Sequence, residues 1–467
     1  MMSYITDDFL LCTPAARELY RKYAAAMPVI DYHCHLDPRW IADDVRFDNI
    51  GEMWLGGDHY KWRAMRACGI DERFITGDAS WREKFSKWAE TVPYAMRNPL
   101  YVWTHMELKR IFGIDDILSP ATADKIWDEC NGMIARSDFS ARGIMRRCNV
   151  EAVCTTDDPA DTLEHHRKIA AECPDITVLP TWRPDNVLKI GDTAAFNAYA
   201  DKLAAAADTD IASYADLLDA LRKRHDFFAA AGCRLSDHGL DRFYAAEYTE
   251  REAAAVFDRV RRGGAADAGE CDKFVSALLY ELAVMDAESD WVQQFHIGPI
   301  RNNAASMFRK LGADAGFDAV DDKNYAAQGF AFFDRLYSEG HLAKTVLYNL
   351  NTRDNDMLAV MANTYNSAPV RGKIQYGAAW WFADNEKGIR NQLDSFSNAG
   401  LLGTFIGMLT DSRSILSYPR HDYFRRILCD VLGGDIESGR LPASEIGRIG
   451  EMVGDICYNN IKTYLKL

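Results

Sequence analysis

The chain has 467 residues, of which 69 are acidic and 54 basic, and carries a net charge of −15. This charge opposes nonspecific binding to nucleic acid or to an anionic membrane, so any anionic ligand needs locally placed arginines. The eleven cysteines lack Cys-x-x-Cys spacing, which is typical of reduced thiols. The longest apolar stretch, around 401–409, is too short to span a bilayer, and no charged-then-apolar leader opens the chain. The composition predicts a cytoplasmic protein that binds neither nucleic acid nor membrane.

The first predicted strand covers residues 28–35 and ends in two histidines, His33 and His35. Alternate side chains of a strand share a face, so both imidazoles can reach one ion. Divalent metals in proteins are bound by imidazole nitrogens together with carboxylate oxygens. Two histidines at this spacing also occur on surface strands or as hydrogen-bonded core residues, so the pair by itself leaves a metal site open.

A repeated βα pattern follows this strand. A Trp- and Arg-rich helical stretch over about 37–147 predicts a large helical insertion after strand 1, and a second helical insertion covers about 240–290. The eight apolar runs, each followed by helical sequence, predict one α/β chain, a (β/α)8 TIM-type barrel over residues 1–467 with its active site at the carboxyl ends of the strands. An open doubly wound sheet shares the pattern but carries a Gly-rich phosphate loop after its first strand, which this sequence lacks. The other seven predicted strands are 150–156, 176–183, 231–237, 291–297, 344–350, 373–380 and 404–411.

Polar and metal-binding residue types gather where these strands end. Asp411 ends the eighth strand, and closing the barrel would bring it beside the first strand as the missing carboxylate ligand. A helix cap is the alternative role for Asp411. His296 ends the fifth strand, and the sequence leaves open whether it binds the metal or the substrate. The full set is His33, His35, 155–158, Arg183, Asp237, His238, His296, 351–354, Trp380, Trp381 and 411–413.

Several longer motifs carry a resemblance that spans the whole chain. They are DYHCHL at 31–36, GDHYKWRAMR at 57–66, FHIG at 295–298 with RNN at 301–303, QYG at 375–377 with WWF at 380–382, GMLTDSRS at 407–414 and YFRRIL at 423–428. On these motifs the sequence resembles the uronate isomerases, also called glucuronate isomerases, of the amidohydrolase superfamily. The resemblance implies an aldose–ketose isomerase of uronate catabolism that interconverts D-glucuronate and D-fructuronate, and D-galacturonate and D-tagaturonate. The reaction passes through an enediol by proton transfer between C2 and C1.

The resemblance also implies roles for individual residues. Tyr60 is expected to shuttle the proton, which requires nearby cations that stabilise its phenolate. Asp411 is expected to move a hydroxyl proton while touching one divalent ion, zinc or a similar metal, and the sequence leaves open whether catalysis needs that ion. Five residues are expected to contact the substrate, with Asp237 as a further participant and Trp381 as a packing residue. The five are His59, Arg183, His296, Trp380 and Arg413.

Two other functions share parts of this pattern. A metal-dependent hydrolase of the same superfamily would use the same ligands to activate water, but it does not account for Tyr60 with Arg183 and Arg413, which suit an anionic sugar. A noncatalytic sugar-acid binding protein would not need the acid and base groups. The large insertion leaves surface for a homo-oligomer.

Overall fold

The computed structural model describes residues 3–467. Its strands are β1 Val29–Asp31, β2 Val150–Cys154, β3 Thr177–Leu179, β4 Leu235–Leu240, β5 Val292–Ile297, β6 Pro299–Ile300, β7 Ala319–Val320, β8 Lys344–Asn349 and β9 Ile374–Tyr376. Its α-helices are α1 Pro14–Leu19, α2 Pro38–Ala42, α3 Ile50–Leu55, α4 His59–Ala67, α5 Trp81–Thr91, α6 Pro99–Phe112, α7 Ala123–Ile134, α8 Ala141–Arg147, α9 Glu164–Glu172, α10 Thr193–Ala207, α11 Tyr214–Ala230, α12 Glu250–Arg261, α13 Ala268–Glu288, α14 Ala305–Leu311, α15 Ala326–Ser338, α16 Asn355–Thr364, α17 Glu386–Ala399, α18 Pro419–Glu437, α19 Ile446–Gly454 and α20 Asn460–Leu465.

Seven parallel strands follow one another around the barrel. The first sheet has the order β1-β2-β3 and the second the order β4-β5-β8-β9, while β6 and β7 form a separate antiparallel ribbon. Trp182 joins the two parallel sheets, because its backbone N donates to Leu235 O at 3.0 Å and its O accepts from Asp237 N at 2.9 Å. Strand β4 begins later than the predicted run at 231–237, since α11 continues to Ala230 and a turn follows it.

The eighth position of the barrel is an irregular extended segment instead of the predicted strand at 404–411. This segment lies against β1: the Thr410 backbone N and Oγ1 donate to the Asp31 carboxylate at 2.7 and 2.6 Å, and Asp411 N donates to His33 O at 3.1 Å. Gly407 and Asp411 have φ angles of 82° and 47°. These left-handed conformations interrupt a regular ladder of strand hydrogen bonds. The barrel therefore closes through individual hydrogen bonds between this segment and residues 31–33, and these hydrogen bonds bring Asp411 next to the two histidines.

Both faces of the barrel strands are buried, which explains their continuous apolar sequence. Along β8, Val346 and Tyr348 belong to the apolar cluster inside the barrel, whereas Leu347 belongs to the core between barrel and helices. This alternation follows the two-residue period of a strand. No helix among residues 3–467 is long and apolar enough to cross a membrane, and all eleven cysteines are free thiols.

Helices α2 to α8 lie between β1 and β2, and α12 and α13 lie between β4 and β5. The first group has a dense core of its own, in which Trp54 of α3 and Trp88 of α5 have no exposed surface. Helix α4 begins after Asp58, whose carboxylate accepts hydrogen bonds from the Tyr60 and Lys61 backbone N atoms at 2.9 and 3.1 Å. This N-cap fixes the start of α4, and so the positions of His59 and Tyr60.

Candidate active site at the carboxyl ends of the strands

A cleft of about 690 Å³ opens at the carboxyl ends of the barrel strands. Nine of the ten residues singled out from the sequence line it, although they come from opposite ends of the chain. Asp237, the tenth, is fully buried beneath the cleft and contacts two of the others. The nine are His33, His35, His59, Tyr60, Arg183, His296, Trp380, Asp411 and Arg413.

Two imidazoles converge on one carboxylate oxygen in the cleft. Asp411 Oδ1 lies 3.2 Å from His33 Nε2 and 3.0 Å from His35 Nε2. The other oxygen, Oδ2, accepts a hydrogen bond from Trp380 Nε1 at 2.6 Å. Burial works to raise the pKa of Asp411, but its contacts with His33 and His35 outweigh burial and hold this pKa well below its usual range. Asp411 is therefore an ionised carboxylate in the cleft.

The same residues fit a divalent metal ion. One ligand atom each from His33, His35 and Asp411 lie within 4.8 Å of one another, and neither ring nitrogen of the buried His33 has an aligned hydrogen-bond partner among residues 3–467. Two imidazole nitrogens with one carboxylate oxygen form a donor set that suits zinc and similar ions.

A second group, built on Asp237, adjoins the first. Asp237 Oδ1 lies 2.6 Å from His296 Nδ1, and Asp237 Oδ2 lies 2.8 Å from Arg183 Nη1. The His296 ring also stacks on Tyr348, with 4.4 Å between ring centroids, and its Nε2 has no hydrogen-bond partner within residues 3–467. Asp237 thus fixes the orientation of both side chains and leaves His296 Nε2 available to a ligand. One ligand atom each from His33, Asp237 and His296 also lie within 4.8 Å of one another, so either role predicted for His296, metal ligand or substrate contact, is compatible with its position.

Arg183 is further held by Asp185, whose Oδ2 lies 3.1 Å from Arg183 Nε and accepts from Gly239 N at 2.8 Å. Gly239 lies in β4 directly under the guanidinium, and a Cβ at this position would overlap Arg183 Nη2. The arginine therefore needs glycine at this point of the strand. Asp185 was missed by the sequence reasoning, although its place two residues after Arg183 is a signal for an ion pair.

Arg413 reaches a segment that the sequence reasoning also missed. Its Nη2 donates to Asp314 Oδ2 at 2.9 Å, and Asp314 Oδ1 lies 3.5 Å from Arg301 Nη1. Arg301 in turn lies over the Trp381 ring, 4.9 Å from its centroid. Arg301 Nη1 also donates to Oδ2 of the buried Asp318 at 3.2 Å. Two guanidinium groups and two carboxylates thus alternate at the mouth of the cleft, and Arg413 has Asp314 as its ion-pair partner.

Tyr60 and His59 stack on each other with 4.8 Å between ring centroids, and the edge of Trp381 packs against both. Burial raises the pKa of Tyr60 well above its usual value, and Asp411 adds to this rise, while Arg420 opposes it. Burial, with Arg413 next, lowers the pKa of His59. This environment favours the neutral phenol, whereas the sequence predicted a phenolate stabilised by nearby cations.

Trp380 lies in the loop after β9 and is buried. Its indole N–H is already engaged with Asp411, so the ring is the part of Trp380 that is left to contact a substrate. Its partner Trp381 packs against Tyr60 and Phe382.

The parallel barrel, with two histidines and an aspartate gathered at its strand ends, defines a barrel enzyme of the amidohydrolase kind. A family model described as glucuronate isomerase matches residues 1–465. The chain belongs to this family. The uronate isomerase of Phocaeicola vulgatus is 53% identical over 467 residues, with both chains covered in full, and that of Bacteroides thetaiotaomicron is 52% identical over the same length.

Solved structures agree with this assignment. A uronate isomerase from Thermotoga maritima superposes with a TM-score of 0.93 at 33% identity, covering 99% of this chain and 100% of the other. A glucuronate isomerase from Caulobacter crescentus gives a TM-score of 0.91 at 26% identity, with 99% and 97% covered. The family resemblance and the isomerase class inferred from the motifs are confirmed, and the hydrolase alternative is not supported.

Proposed function

We propose that this isomerase interconverts D-glucuronate with D-fructuronate, and D-galacturonate with D-tagaturonate, using Asp411 and Tyr60 as its base and acid. The observation that carries the proposal is geometric: Asp411 and Tyr60 line one cleft together with Arg183 and Arg413. Asp411 has a pKa held far below its ordinary value and Tyr60 a pKa raised well above it. Asp411 therefore starts as the carboxylate and Tyr60 as the phenol at the same pH, which are the protonation states that a proton acceptor and a proton donor need.

The substrate is bound as an anion. Arg413 uses Nη2 for its ion pair with Asp314 and lines the cleft with about a third of its side chain exposed, so its remaining N–H donors can bind the carboxylate of a sugar acid. Arg183 is fixed by two carboxylates and keeps Nη2 for a substrate oxygen. Guanidinium groups held in this way bind carboxylates or vicinal hydroxyl oxygens with defined geometry. His59, His296 and the Trp380 ring complete the substrate contacts.

Isomerisation of the open-chain sugar requires transfer of one carbon-bound proton and one oxygen-bound proton. Asp411 accepts the proton from C2 as Tyr60 donates its phenolic proton to the carbonyl oxygen on C1, and the enediol forms. The Tyr60 phenolate then takes the proton from the C2 hydroxyl, C2 becomes the ketone, and Asp411 returns its proton to C1. Both side chains end in their starting states. This assignment exchanges the two roles predicted from the sequence, where Tyr60 moves the carbon-bound proton and Asp411 a hydroxyl proton, because a neutral phenol must donate a proton before it can accept one.

His33, His35 and Asp411 would hold one divalent ion, zinc or a similar metal. When bound, such an ion polarises substrate oxygens and helps to orient them. Neighbouring side chains hold these groups in position. Trp380 keeps Asp411 Oδ2 in place through its indole N–H, and Asp237 keeps His296 and Arg183 aligned beside the metal ligands.

The test of the activity is direct. Purified protein is incubated with D-glucuronate and, separately, with D-galacturonate, and NMR spectra follow the appearance of the ketose. A panel of amides and esters serves as the hydrolase control. Ketose formation without hydrolysis supports the proposal, whereas an unchanged sugar with hydrolysis of a panel member overturns it.

A further inference from the structure

A second cavity, of about 380 Å³, lies at the opposite end of the barrel, where β4, β5 and β8 begin. Strand β5 runs from Val292 near this cavity to Ile297 near the catalytic cleft. Five steps of about 3.3 Å separate these residues by about 16 Å. The two cavities therefore share the barrel but have no lining residue in common.

Basic side chains dominate the charge of this cavity. Arg234, Lys344 and Lys466 line it with a single carboxylate, Asp290, so the lining carries three positive charges and one negative, a net charge of +2. Lys344 Nζ lies 3.4 Å from Asp290 Oδ1, and Lys466 pairs with Oδ2 of the same residue. Arg234 is exposed and forms no ion pair within residues 3–467. This local excess is opposite in sign to the charge of the whole chain.

Part of this excess positive charge is shielded from solvent, because Lys344 is buried. Its side chain is only 6% exposed, and its ammonium donates to the Tyr464 backbone O at 3.1 Å. Burial lowers the pKa of Lys344, and the neighbouring charges of Lys466 and Arg234 act in the same direction, while Asp290 opposes them. A buried ammonium beside other cations is costly unless an anion compensates it.

We propose that this cavity binds a phosphate dianion. A phosphate group carries close to two negative charges at neutral pH, which matches the net +2 of the lining. The free Arg234 guanidinium supplies paired donors for two phosphate oxygens, and the two lysines supply point charges. Trp291 and Leu465 form apolar wall beside these cations, which gives room for the organic part of a small phosphate ester.

The test uses isothermal titration calorimetry on the full chain with two probes, inorganic phosphate and glucose 6-phosphate. An equilibrated, saturating uronate mixture is present in cell and syringe, so that the arginines of the catalytic cleft are occupied. The variant is Arg234→Gln with Lys466→Gln, both exposed positions. We expect its Kd for phosphate to rise by at least about tenfold. Tighter binding of glucose 6-phosphate would identify an ester as the preferred source of the phosphate group, and equal or tighter binding of inorganic phosphate would identify the free ion.

A matched control separates local binding from general electrostatics. Arg262→Gln with Arg448→Gln removes the same charge at positions that are 81% and 84% exposed, and this variant is expected to bind phosphate like the wild type. Absence of binding by both probes would overturn the proposal. So would an equal loss in both double variants, an unchanged Kd in the Arg234 and Lys466 variant, or binding that is seen only in a parallel titration without uronate.

Discussion

Replacing Tyr60 by phenylalanine removes one hydroxyl and keeps the aromatic ring that packs against His59, Trp103 and Trp381. The fold and the metal content should therefore be preserved. General acid catalysis contributes about 10²–10⁴ in rate, or about 3–5 kcal/mol of barrier. We expect kcat to fall by a factor within this range. KM should change only a few-fold, because one neutral hydrogen bond is worth about 1 kcal/mol.

The assay is the initial rate of ketose formation from D-glucuronate, with near-UV circular dichroism and elemental analysis to confirm fold and metal content. Tyr244→Phe is the matched control, since Tyr244 also lines the cleft but its hydroxyl donates to Asp241 at 2.7 Å; its kcat should be close to that of the wild type. A Tyr60→Phe enzyme with kcat within about threefold of wild type would refute the reasoning, since even the lower bound for an acid catalyst is about a hundredfold.

The electrostatics of Tyr60 also set the pH dependence. Because its pKa is raised above the ordinary value near 10, the phenol keeps its proton at pH 7–9 and activity should not decline there through this group. A decline in kcat centred between pH 8 and 9 that is lost in Tyr60→Phe would mean that the phenol ionises in that range, contrary to its environment.

Three further changes test the surroundings of the site. Gly239→Ala should displace Arg183 and raise KM for uronate about tenfold, measured by steady-state kinetics. Glu107→Gln should make the free energy of unfolding less dependent on pH. Burial raises the pKa of Glu107 to about 7 in the folded state, so the folded protein holds this proton more tightly than the unfolded chain does. Chemical denaturation should therefore show the wild type losing about 2–3 kcal/mol of stability relative to the variant between pH 5 and 8. His35→Asn should lower the bound divalent metal from one per chain to a small fraction, measured by elemental analysis.

Each of these changes has a control or a contrary outcome. Gly434→Ala lies in helix α18 with no atom near the new Cβ and should leave KM unchanged; an equal KM effect in both variants would remove the special role of residue 239. Parallel stability curves for Glu107→Gln and wild type would show that this carboxyl titrates normally. For the metal, His341→Asn is the comparison, and full activity in verified metal-free wild type would leave the ion without a catalytic role.

The sequence was most informative where chemistry is encoded by local motifs at strand ends. His33 and His35 were predicted to share a face of a strand over 28–35, but β1 ends at Asp31 and both histidines lie in the segment after it, where they still meet Asp411. The position of Asp411 follows from closure of the barrel, even though the segment before it is not a regular strand. The partners Asp185 and Asp314 were missed because they lie in loops. Asp314 meets Arg413 across 99 residues of sequence, and no periodic pattern predicts such a contact.

The charge state of Tyr60 could not be predicted for a related reason. Its motif gives the residue type, but its pKa depends on burial by elements from several parts of the chain, including Trp103 of α6 and Trp381 after β9. Burial is a property of the packed molecule, and here it decides between phenol and phenolate.

The central claim is that the cleft moves a proton between C2 and C1 through an enediol. The most direct measurement is NMR of D-glucuronate held at equilibrium with the enzyme in deuterated water over many turnovers. The account predicts that D-fructuronate forms and that deuterium accumulates at C1 of the ketose and at C2 of the aldose, because Asp411 exchanges its proton with solvent in a fraction of the turnovers. Ketose that forms with no deuterium at either carbon, even after many turnovers, would contradict this mechanism, since a proton carried by the Asp411 carboxylate should exchange with solvent in part of those turnovers.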